Sequence, residues 1–259
     1  MRNWSIPVLI LFATAALAAP QEGSDLKSDP SAKIYSDAVA HAGRSSQDRE
    51  RDARELPAEV MAFAGFKPGM KVADVFGGGG YYSELISYVV GPKGEVALVN
   101  NVPYANYAGD EGKARFTPGR LPNVRRSVIE SCNLKLGKES FDAILIVLSY
   151  HDLYHADPLG GWPEIDAAHF LDQLHAALKP QGIFLIVDHA AKAGTGKTAA
   201  QELHRIDDSF ARSDIASHGF AFEGSFDRLR NPNDDYSKVV FDKAVRFKTD
   251  RFVHLYRKQ

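Results

Sequence analysis

The sequence predicts an α/β fold in which a mostly parallel, Rossmann-like sheet is covered by helices on both faces. Short runs at residues 71–76, 95–99, 141–148 and 183–187 are almost continuously apolar and alternate with stretches of helical spacing. A strand that is apolar on consecutive residues is buried on both faces, as in a parallel sheet between helix layers. The first run also ends in Gly77-Gly78-Gly79-Gly80, directly before a helical stretch. Glycines there allow a tight turn and let a ligand lie against backbone at a helix N-terminus.

Composition bounds the rest. A chain of 259 residues with 44% hydrophobic and 25% charged residues suits one domain with additions and a sizeable core. The formal net charge of −2 comes with no long run of one sign. Broad, charge-driven binding to nucleic acid or to an anionic membrane surface is therefore not expected. The single cysteine, Cys132, permits no intrachain disulfide and is expected as a small buried residue beside the sheet. Nothing in the sequence sets an oligomeric state.

In chain order, Met1-Arg2 precedes an apolar stretch at residues 6–17 and then Ala16-Leu17-Ala18-Ala19-Pro20. This is the layout of a secretory signal peptide, and the stretch falls short of the ~20 apolar residues that span a membrane. The expectation is a signal peptide at 1–19, export to the periplasm, and no stable membrane insertion after cleavage. Residues 20–54 read as a linker and an N-terminal helical segment. Within it the mixed charges of residues 48–55 suggest a solvated helix face. Pro57 can open a new helix, and the main domain is expected over residues 55–259.

Residues 71–76 give the first strand, 81–90 a helix closed by Gly91-Pro92, and 95–99 the second strand. Strands follow at 124–129 and 141–148, then a helix at 167–178. Lys179-Pro180-Gln181-Gly182 reads as a turn into the strand at 183–187. Residues 220–226 and 252–256 form a C-terminal antiparallel pair, with a polar Asn231-Pro232-Asn233-Asp234-Asp235 stretch between them.

Ligands of such sheets bind outside the carboxyl ends of the strands. A dinucleotide fingerprint, G-x-G-x-x-G, fails at Tyr82 or Ser83, and the second strand ends in Asn100-Asn101 rather than an acid. A phosphate loop at Gly194-Thr195-Gly196-Lys197-Thr198 fails because Ala191 stands where its first glycine belongs. The carboxyl ends also gather His151-Asp152 with His155, Asp188-His189, and His204 with Asp207. His204 and Asp207, three apart, are expected on one helix face. An imidazole oriented by a carboxylate is a good general base. The same groups suit a divalent metal, but their spacing matches no standard metal motif, so no metal ligand is assigned. Helix caps and loop ties are the plain alternative. Tyr81, Tyr82, Tyr104, Tyr107, Tyr150 and Tyr154 are candidate pocket aromatics.

Val72-Ala73-Asp74-Val75-Phe76-Gly77-Gly78-Gly79-Gly80-Tyr81 resembles the first motif of the class I S-adenosylmethionine-dependent methyltransferases, an acid followed by alternating glycines. Leu178-Lys179-Pro180-Gln181-Gly182, before a strand ending in Asp188, is similar to that family's later segment, and residues 134–142 to its lead into the fourth strand. The histidine and aspartate pairs resemble a bacterial subgroup with signal peptides. The resemblance implies a seven-stranded sheet and S-adenosylmethionine as cofactor. Asp74 and the loop of Gly77, Gly78, Gly79 and Gly80 would hold its methionine end, Asn100 its ribose, and Glu130 would lie near its adenine. Phe76 replaces a glycine of that pattern and Asn100 an acid. The implied activity is methyl transfer to a small molecule, with His151, Asp152, His189, His204 and Asp207 handling protons. The rivals are a metal-dependent enzyme on the same fold using the His/Asp cluster, and a non-catalytic ligand-binding protein.

Overall fold

The computed structural model describes residues 32–259. The expected signal peptide and most of the linker lie outside the described residues. Three helices come first: α1 (Lys33–Ala40), α2 (Ser46–Glu55) and α3 (Pro57–Ala64). They are followed by β1 (Lys71–Val75), α4 (Tyr81–Val90), β2 (Glu95–Asn100), α5 (Val102–Arg115), β3 (Val124–Val128) and β4 (Phe141–Val147). The second half comprises α6 (Ala167–Ala177), β5 (Leu178–His189), α7 (Ala199–Leu203), α8 (Asp208–Ser217), β6 (Phe220–Ser225) and β7 (Arg251–Lys258).

The strands form one seven-stranded sheet in the order β3-β2-β1-β4-β5-β7-β6. β1 to β5 pair in parallel, and β7 runs antiparallel to both β5 and β6. This is the predicted fold class, including the antiparallel C-terminal pair. Alternate residues of each central strand feed two cores. Val72, Leu145, Leu185 and Val187 pack with Val60, Met61, Leu85 and Ile86 on one face. Val75, Ile144, Ile146 and Phe184 pack with Phe170, Leu174, Ala211 and Ile215 on the other. Burial on both sides is why these strands lack a polar alternation. The edge strand β3 is mostly exposed and carries Arg125 and Arg126, which blunt it against further pairing.

Several expectations change. Residues 179–182 do not turn ahead of a separate strand; β5 starts at Leu178 opposite Phe141 and bulges before Ile183 resumes pairing opposite Ala143. Cys132 is exposed, not buried. His204 and Asp207 do not share a helix: α7 ends at Leu203, His204 takes left-handed backbone (φ 52°), and Asp207 caps α8.

α1 and α3 pack into the core through Tyr35, Ala38, Val60 and Met61, whereas α2 is tied down through Arg115, at the end of α5. Its guanidinium makes two 2.7 Å bonds to Asp48 of α2 and a 2.8 Å bond to Glu84 of α4. It also donates to the carbonyl of Gly79 in the glycine loop. All three charged side chains are nearly inaccessible, at 3%, 5% and 1%. Removing one partner of such a group strands the others without water. Arg115→Met is accordingly expected to lower stability by about 3–5 kcal/mol, read from the urea midpoint at unchanged slope. A loss within 0.5 kcal/mol would show that α2 is held by other contacts.

Candidate functional site

The strand order reverses between β1 and β4, the crevice where open parallel sheets bind ligands. A cavity of about 680 Å³ opens there. Its floor is Asp74, Phe76 and Gly77–Gly79, and its far wall is His151, Asp152, His155, His189 and His204. Two segments roof it. Gln47, Asp48, Arg51, Arg54 and Glu55 come from α2, while Val240, Phe241, Arg246, Phe247 and Thr249 come from the stretch before β7. The run at residues 48–55 is therefore not a solvated face; Asp48 and Glu55 are buried, and Arg51 lies 4.0 Å over the Tyr81 ring.

The glycine loop is shaped by Asp74. The carboxylate accepts a 2.6 Å bond from the Ser83 hydroxyl through Oδ2 and folds back under the loop. A Cβ on Gly77 would meet it at 2.5 Å, so only glycine fits. The other oxygen, Oδ1, is buried without a hydrogen-bond partner, as is the hydroxyl of Tyr82 beside it on the cavity wall. Burial pushes the Asp74 carboxyl up to about 6, against the opposing effect of Ser83 and of Arg51 and Arg115. Two buried orphan atoms on one cavity wall are unusual in folded proteins and mark a place for a ligand.

Asn100 and Glu130, the residues expected at the ribose and the adenine, do not line the cavity. Asn100 spends its amide on the backbone of Gly78, accepting from its N–H at 3.1 Å and donating to its carbonyl at 2.9 Å. Glu130 is exposed. Gly80 lies beneath the loop, where a Cβ would strike Phe116 at 2.5 Å. Phe76, in left-handed backbone at φ 57°, stacks on Tyr104 with ring centroids 4.6 Å apart. This aromatic pair fills space that a glycine would leave open. α5 supplies the opposite wall instead, through Tyr104, Tyr107, Ala108 and Glu111. No element was expected over residues 102–115; Pro103, Gly109 and Gly112 are weak helix formers, and Gly109 leaves helical backbone at φ 48°.

At the carboxyl ends of β4 and β5, Asp188 is fully buried and accepts from the backbone N–H of His151 at 2.7 Å and of His189 at 2.7 Å. Its Oδ1 also faces His151 Nδ1 at 2.7 Å. On its other side, His151 Nε2 lies 3.3 Å from Asp152 Oδ1. Burial alone would lower the His151 imidazole, but Asp152 and Asp188 outweigh it and raise it to about 9. His189 is the contrary case. Burial and the neighbouring His151 push it well below its ordinary value, and Nδ1 meets Thr249 Oγ1 at 2.7 Å. His204 Nδ1 faces Asp152 Oδ1 at 3.3 Å, and the Tyr104 hydroxyl donates to Asp152 Oδ2. Asp207 does not join them: it accepts from the backbone of Gly194, Gly196 and Ser209 as a cap and loop tie. The phosphate-loop look-alike is thus a turn wrapped around a carboxylate. Tyr150 and Tyr154 both donate to Asp214, away from the cavity.

Neither a protein-family model nor a curated protein matches the chain. Solved structures do. A SAM-dependent methyltransferase from Aquifex aeolicus superposes with a TM-score of 0.57 at 19% identity, over 85% of this chain and 97% of the other. One from Mesorhizobium loti gives 0.54 at 14%, over 79% and 98%. This is the class I methyltransferase fold. The [4+2]-cyclase SpnF superposes as well, with a TM-score of 0.59 at 16% identity over 87% and 92%. The class I fold therefore does not by itself fix the reaction, which must be argued from the site.

Asp74 tests the site directly. Its folded value lies above the unfolded one, so the native state holds a proton that the unfolded chain releases. Stability should then fall as pH rises from about 4 to about 6, by about 3 kcal/mol, and stay low above that. Asp74→Asn should flatten this fall in thermal melts across the range. Parallel curves for the two proteins would show that Asp74 is not held neutral by burial.

Proposed function

We propose that the protein transfers a methyl group from S-adenosylmethionine to a small molecule, as a member of an exported bacterial subgroup of methyltransferases. The observation that carries this reading is the orphaned Asp74 Oδ1 beside the glycine loop, at the switch point of a class I methyltransferase sheet. A buried carboxylate oxygen without a donor is matched by a cationic ligand, and the cofactor's methionine end carries an ammonium group and a sulfonium.

S-adenosylmethionine, when bound, supplies an electrophilic methyl group. Asp74 and the loop of Gly77–Gly79 hold its methionine end. Glu111, whose carboxylate a Cβ on Gly79 would meet at 3.0 Å, offers an acceptor to the next part of a ligand lying on the loop. The chain's remaining task is alignment and proton removal. His189 is the candidate base on geometry: it lines the cavity and its Nδ1 is oriented by Thr249. The acceptor enters past Trp162, Tyr107, Phe241 and Phe247, the last three exposed at the cavity rim. That lining favours a molecule with an apolar, ring-bearing body and a hydroxyl or amine to deprotonate. The apolar stretch at residues 6–17 supports export, which would put the reaction in the periplasm.

Calorimetric titration of the purified protein with S-adenosylmethionine is expected to give micromolar binding, weakened at least tenfold by Asp74→Asn. No binding would leave the fold and remove methyl transfer. His189→Ala should cut release of S-adenosylhomocysteine on an acceptor panel by roughly 10²–10⁴-fold while sparing cofactor affinity. Equal loss of both would place His189 in cofactor binding instead.

A further inference from the structure

We propose that His151 Nε2, Asp152 Oδ1 and His204 Nδ1 form a site for one divalent transition-metal ion, with its open positions facing the cavity. The proposal stands on geometry and does not depend on the methyl-transfer reading. The three ligand atoms lie within 4.8 Å of one another. Asp152 Oδ1 is 3.3 Å from each of the two imidazole nitrogens. Charge-assisted N–H···O bonds run about 2.7–2.9 Å, so both contacts are long for hydrogen bonds. They match two ligand atoms sharing an ion at about 2.0–2.1 Å, whose tetrahedral edge is ~3.3 Å.

The surroundings have the form of a metal's outer shell. The second nitrogen of His151 faces Asp188 at 2.7 Å, and the second oxygen of Asp152 accepts from Tyr104. Metal-binding histidines and carboxylates are oriented by such partners. His204 sits in left-handed backbone, a costly conformation for a histidine, and Arg205 anchors it from the next position with a 2.8 Å pair to the buried Asp234. That strain aims the ring at Asp152 rather than along α7. Two imidazoles and one carboxylate suit zinc, iron(II) or manganese, and three protein ligands leave room for an exogenous one. The ligand class that would complete the site is a small molecule with an anionic oxygen donor, such as a hydroxyl flanked by a carbonyl.

The test is zinc titration of chelator-stripped, untagged protein by calorimetry, with cobalt(II) absorption as a second readout. One equivalent per chain is expected, together with visible cobalt bands of a low-symmetry nitrogen and oxygen site. His204→Ala and Asp152→Asn should each weaken zinc at least tenfold, and Asp188→Asn by about 10–100-fold. His218→Ala, which removes a histidine paired with Asp172 on the surface, should change nothing. His204→Ala is the deciding variant, because its half-buried ring makes no other hydrogen bond among the described residues; its melting point verifies folding. Absence of saturable zinc binding, or binding that survives His204→Ala, would overturn the site. Cofactor titration on the same metal-free samples reads the methyl-transfer proposal separately.

Discussion

The site depends on the Asp188 carboxylate. It sits at the end of β5 with no access to water, and its cost of burial is met by three donors from the ends of two neighbouring strands. Because two of them are the backbone N–H groups of His151 and His189, the carboxylate fixes the chain's path as well as one ring. His151 then points at Asp152, Asp152 at His204, and the far wall of the cavity follows. A polar network of this kind is stable only when every member is satisfied. The same rule makes the orphan oxygen of Asp74, on the opposite wall, informative.

Much of this was legible in the sequence because the sheet's physics is local. Continuous apolar runs mark β1, β4 and β5, four glycines mark the turn after β1, and Pro57 marks the start of α3. The histidines and aspartates after β4 and β5 were legible as a group, since a parallel sheet brings those ends together. What was not legible depends on contacts far apart in the chain. Asn100 reads as a ligand contact until Gly78 is seen to occupy it. Asp207 reads as a proton carrier until the turn at residues 194–196 wraps it. The charged run of α2 looks solvated because its partner, Arg115, lies 67 residues away. A signal was present there: Gln47, Arg51 and Arg54 recur at helical spacing on the face that lines the cavity.

The departures at Phe76 and Asn100 both bear on the glycine loop. A side chain in left-handed backbone costs about 1–2 kcal/mol relative to glycine. Stacking on Tyr104 and packing near Phe170 offset that cost by burying the ring. At the end of β2, Asn100 braces Gly78 through both ends of its amide. α5 lines the cavity on the far side of this loop through Tyr104, Tyr107, Ala108 and Glu111.

The roof joins opposite ends of the chain. Glu55 of α2 meets Arg251, the first residue of β7, at 2.6 Å, and Arg54 lies 4.3 Å over the ring of Phe247. The cavity is thus closed by two segments far apart in the sequence. The cover of the cavity is a contact between residues 196 positions apart, and it forms only once both segments are docked.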